Sequence, residues 1–89
     1  RGYATIPPDL MVEVKSPTDS VEELQAKIEE FLVQGTVVGI LVNPDDRTVK
    51  VYRLQQAPVV LRDGDLLTVP DVLPGWEVPI AELWSPVFE

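Results

Sequence analysis

Hydrophobic and polar residues alternate strictly from Leu10 to Lys15, within the stretch IPPDLMVEVKSP. Leu10, Val12 and Val14 face one way, and Met11, Glu13 and Lys15 the other. A period of two predicts a β-strand. Pro7 and Pro8 lack amide donors and mark its start, and Pro17 marks its end.

The period then lengthens. SVEELQAKIEEFLVQG predicts a helix, with Val21, Leu24, Ile28, Phe31 and Leu32 forming one apolar stripe. Ser20 and Glu23 have capping-box spacing, acidic residues fill the first turn, and Gly35 stands at the C′ position. Glu22, Glu29 and Glu30 belong to a solvated face. TVVGILVN is apolar on both alternations, as expected of a strand covered on both faces. Strand, helix and buried strand in succession predict a right-handed crossover between parallel strands.

PDDR reads as a turn in which Asp45, Asp46 and Arg47 serve the bend. TVKVYRL is a further strand, antiparallel to its predecessor. PVVLRDGDLLTV predicts a hairpin pivoting on Asp63-Gly64. VLPGWEVPIAELW predicts an extended piece flanked by prolines, followed by one helical turn. Trp76 and Trp84 are expected to cover the core or its edge. The expected architecture is a single α/β domain over residues 1–89, with a mixed sheet and one long helix.

Composition narrows the chemistry. The chain has 89 residues, of which 45% are hydrophobic and 25% charged, the balance of a globular domain rather than a disordered one. With no cysteine and no histidine, it has neither a thiolate metal site nor an imidazole base, which excludes the usual triads and zinc enzymes. No apolar run approaches a membrane span and no signal-peptide pattern opens the chain, so a cytoplasmic setting without membrane contact is expected. The net charge of −8 is the wrong sign for gripping phosphates, but carboxylates are the right ligands for a hard metal ion. The chain opens on Arg1 and runs almost at once into a strand pattern, which reads as the latter part of something longer.

Glu13 and Lys15, two apart on a strand, lie on one face roughly 7 Å from each other. A carboxylate and an ammonium so placed can converge on one substrate atom. The carboxylate can hold a divalent cation, while the ammonium orients water and offsets phosphate charge. On spacing alone, a weak surface ion pair is the favoured reading, and only a family resemblance reverses that order. Asp9 is the other metal-ligand candidate on this chain. It lies four residues from Glu13, about 13 Å along an extended strand, too far to share one Mg²⁺. Asp9 is therefore expected to end the strand or support the site from its edge. Ser16 and Thr18 are expected to bond locally before the helix.

PPDLMVEVKSPTDS, KIEEFLVQGT, ILVNPDDRTVKVYR and VLPGWEVPIAELW, in that order, resemble the second half of the Uma-two family of nucleases. The match runs over nearly the whole chain. The family has a restriction-endonuclease-like fold within the PD-(D/E)XK superfamily, and the resemblance implies an incomplete copy of that fold. It also implies that Glu13 and Lys15 are the (D/E)XK element of a Mg²⁺- or Mn²⁺-dependent DNA endonuclease. The second metal-binding acid would come from an earlier strand outside this chain. Many members carry Leu at the place of Lys15 and a lysine on the following helix instead. Lys27 occupies that place here, although a lysine at the edge of an apolar stripe also serves simply to cover it. A catalytically degenerate module that pairs with a second copy is the alternative, motivated by the acidic balance and by an exposed sheet edge.

Overall fold

The computed structural model of the chain describes residues 6–84. Strand β1 (Leu10–Val14) is followed by helix α1 (Val21–Gln34) and strand β2 (Val38–Asn43). Strands β3 (Thr48–Tyr52), β4 (Val59–Leu61), β5 (Leu66–Thr68) and β6 (Glu77–Pro79) complete the strands, and a short 3₁₀ turn spans Ile80–Leu83. β1 to β4 form one sheet in sequence order, and β5 and β6 form a separate two-stranded ribbon. β1 pairs parallel to β2, with Glu13 opposite Leu41 and Val14 opposite Val42. β2–β3 and β3–β4 are antiparallel. The parallel pair bridged by α1 matches the expected crossover.

Helix α1 begins where Ser20 accepts the Glu23 amide at 3.3 Å, which satisfies one of the free donors of the first turn. The Ser20 hydroxyl donates to Glu22 at 3.0 Å, so the cap employs Glu22 alongside the Glu23 backbone. At the other end Gly35 takes φ 125°, and its amide and that of Thr36 bond back to Leu32 and Phe31. That pair of bonds is a Schellman closure, and glycine is the residue that enters such a conformation without steric cost.

Two apolar clusters sandwich the sheet. On one face Ile28 and Leu32 of α1 pack on Met11, Leu41 and Tyr52. On the other, Val38, Ile40, Val49 and Val51 pack beneath Leu67, Val69 and Ile80. The second layer covers β2 and β3 but stops short of the outer strand. Val12 and Val14 are therefore 52% and 60% exposed, while Met11, among the polar residues' face of β1, is buried. They line a groove of about 610 Å³ with Val42, Pro44 and Trp84.

The Asp63-Gly64 turn forms, but it does not join a hairpin. Gly64 has φ 96°, the Asp65 amide donates to the Arg62 carbonyl at 2.9 Å, and the Asp65 carboxylate accepts the Arg62 amide at 2.8 Å. β4 pairs with β3 at the sheet margin, whereas β5 crosses to the second layer and pairs with β6. The turn is a corner between layers, because Leu67 and Val69 are needed to bury the underside of β2 and β3. The final segment is extended and then forms one 3₁₀ turn, as its prolines predict.

Candidate active site

The alternation of β1 puts Glu13 and Lys15 on the face that α1 covers, beside Met11. Their side chains are 20% and 12% exposed, so both heads lie at the rim between helix and strand and remain open to solvent. Lys27 reaches down from α1 and places its Nζ 2.9 Å from Glu13 Oε2. The Lys15 ammonium donates to Asp45 Oδ2 at 2.7 Å and to the Ser16 carbonyl at 3.2 Å.

Two of the three proposed catalytic side chains are thus in direct contact, and the third shares their face. Asp9 stands apart. It is exposed, immediately before β1, and its backbone carbonyl accepts the amides of Val37 and Val38. Its role in the fold is to tie the start of β1 to the start of β2.

The three lysines of the chain gather on this side of the sheet. Lys50 is paired to Leu41, which is paired to Glu13, so the three residues form one row across the helix-covered face. Asp19 feels both Lys15 and Lys27, and Glu22 feels Lys50. Lys27 pairs with Glu13 and Lys15 with Asp45, so the ammonium groups share a face but are bound to different carboxylates.

Ser16 behaves as its position before the helix suggests. Its amide and hydroxyl donate to Asp19 Oδ2 at 2.8 and 2.9 Å, and its hydroxyl lies 3.4 Å from that of Thr18. The amide bond above all, then the hydroxyl, holds the Asp19 carboxyl below the usual carboxylate range.

Asp45 was legible as a turn residue but not as the partner of Lys15. The available signal was the parallel crossover, which brings the end of β2 alongside the end of β1. The Lys15 amide donates to the Val42 carbonyl at 2.9 Å, so the chain leaving β2 passes directly beside Lys15.

Glu13 has the chemistry of a hard-cation ligand, but Mg²⁺ or Mn²⁺ needs several oxygens. Among the described residues, no group of three or more acidic side chains gathers to supply them. Among the described residues, no helix is long and apolar enough to cross a membrane.

No curated protein sequence matches the chain. A solved structure described as a "putative nuclease belonging to DUF820", from Anabaena variabilis, matches with a TM-score of 0.84 and 34% sequence identity. The match covers 90% of this chain and 45% of that one, so the chain spans less than half the length of its structural relative. The mixed α/β architecture is therefore that of the matching part of this relative. The model of the Uma2 family, described as "Putative restriction endonuclease", matches residues 1–81. The chain belongs to the Uma2 family of restriction-endonuclease-like proteins.

Proposed function

We propose that the protein carries the glutamate–lysine half of a metal-dependent nuclease site that hydrolyses phosphodiester bonds, with DNA as substrate. The observation that supports this reading is the shared face of Glu13 and Lys15, both partly open to solvent, in a chain of this family. Glu13 would hold Mg²⁺ or Mn²⁺ together with an aspartate from outside this chain, and Asp9 would support the strand that carries it. When bound, the metal would supply positive charge at the scissile phosphate.

The chain's own groups do the rest. A lysine ammonium has three N–H donors, and Asp45 and Ser16 occupy two of them in Lys15. The third can hold the attacking water or a phosphate oxygen, and the charge offsets the negative charge that builds up at phosphorus. Lys27, already against Glu13, is the auxiliary cation. Lys15 and Lys27 each stand beside a carboxylate, so a bound divalent cation would have to supply much of the positive charge that a phosphate meets.

The test is cleavage of DNA by the full-length protein with Mg²⁺ or Mn²⁺, compared with Glu13→Ala and Lys15→Ala. Each variant is expected to lose at least about 100-fold in rate. The 89-residue chain alone is expected to bind Mg²⁺ weakly and to cleave nothing. A full-length protein that cuts nothing, or variants as active as wild type, would sink the reading.

A second reading is favoured by one observation. Among the described strands β1 is an edge of its sheet, as β4 is at the other side, and Val12 and Val14 are exposed along it. Two copies could pair through this edge as a non-catalytic homodimer. Sedimentation velocity decides it: a dimer that Val14→Lys converts to monomer supports association, and a monomer at all concentrations removes it.

A further inference from the structure

We infer that Asp45 is a positioning residue for Lys15, fixed in place by a cross-braced turn. The inference rests on the nuclease reading of Lys15. Between β2 and β3 the chain runs Asn43-Pro44-Asp45-Asp46-Arg47-Thr48, and nearly every polar side chain of the turn is spent on its shape. The Asn43 side-chain oxygen accepts the Asp45 amide at 3.0 Å. The Thr48 hydroxyl donates to Asp46 Oδ1 at 2.6 Å. Arg47, in the left-handed region at φ 57°, donates to Asp63 Oδ2 through Nε and Nη2 at 3.2 and 2.6 Å.

The brace continues outward. Asp63 Oδ1 accepts the Trp84 indole N–H at 2.9 Å, and the Arg47 guanidinium lies 5.7 Å from the centre of the Trp84 ring. Trp84 packs against the core cluster beneath the sheet. The turn is therefore anchored to the corner after β4 and to the end of the 3₁₀ turn at Ile80–Leu83. The side chain left over is Asp45, and its carboxylate crosses to Lys15 at 2.7 Å.

An exposed ion pair adds little to stability, and Asp45 is 65% exposed. The effect of the pair falls instead on direction. A lysine stem has four rotatable bonds, and two fixed acceptors on its ammonium determine where its remaining donor points. Asp45 does not touch the reacting atoms in this account; it acts through Lys15.

Two measurements on the full-length protein test this. The first is the rate of reductive methylation of Lys15, followed by mass spectrometry, in wild type, Asp45→Ala and Asp45→Glu. The second is kcat and KM for DNA cleavage. Asp45→Ala is expected to speed methylation and to lower kcat by about 10–100-fold with KM little changed, as a roughly 1 Å misplacement would. Asp45→Glu is expected to restore much of both. Unchanged methylation of Lys15 in Asp45→Ala, or unchanged kcat, overturns the inference. Failure of wild type to cleave overturns the nuclease reading itself, and the methylation rates still decide whether Asp45 holds Lys15.

Discussion

Lys27 Nζ stands 2.9 Å from Glu13 Oε2, so the candidate metal-binding carboxylate already has a cation from the helix above it. Two consequences of opposite sign follow. Lys27 competes with a divalent ion for Glu13, yet it adds positive charge where a phosphate would approach. Lys27→Met in the full-length protein should raise divalent-ion affinity by about 15-fold, the value in water of a unit charge roughly 5 Å from a doubly charged ion. Cleavage should fall rather than rise. Because Lys27 is half exposed, stability should change by less than about 1 kcal/mol. Calorimetric titration with Mn²⁺ beside a cleavage assay checks the split, and a parallel change in both quantities would refute it.

Ser20 is the sole side-chain cap on the α1 N-terminus, bonding the Glu23 amide. Ser20→Ala should cost about 1 kcal/mol, and Ser20→Asp should recover most of that loss. Urea denaturation followed by circular dichroism is the measurement.

Gly39 lies under the helix, where an added Cβ would collide with Ile28 Cγ2. Ile28 is fully buried and β-branched, so it has little room to yield. Gly39→Ala should destabilise by about 1–3 kcal/mol, as overpacking does. A matching Ile28→Val change should recover part of it, which a double-mutant cycle would detect.

Three carboxyls are held below the usual value of 3.8: Asp63 chiefly by Arg47, Asp71 chiefly by Arg53, and Asp19 chiefly by the Ser16 amide. Depressed folded-state values mean that their stabilisation is present above the unfolded pKa and lost as pH falls through the folded ones. Wild type should therefore be more stable than Asp63→Asn above about pH 4, with the gap closing as pH falls below that. A gap that widened in acid would contradict the assignment.

Much of the fold was legible in the sequence because its signals are local. The period of α1, the Ser20 cap and the Gly35 stop are written within one helix, and the doubly apolar run of β2 announces a central strand. What escaped depends on distant partners. β4 and β5 have three residues each, too few to show which sheet they join, and the layer that needed Leu67 drew β5 away from β4. The exposure of Val12 and Val14 escaped for the same reason, since the extent of the second layer is not visible in β1. Within the candidate site, the common face of Glu13 and Lys15 was readable from alternation, whereas Lys27 came from the family resemblance, the helical wheel showing only a lysine at the edge of the apolar stripe. Asp45 required the register of β1 on β2, which no single segment encodes.

The bare backbone at Gly39 reaches further than packing. It lets Ile28 descend onto the sheet, and Lys27, the next residue along the helix, descends with it. The residue opposite Gly39 is Met11, two positions from Glu13. A hydrogen atom in place of a methyl group thus sets the height from which an ammonium approaches a carboxylate, and a position with no chemistry of its own tunes the field at one that has it.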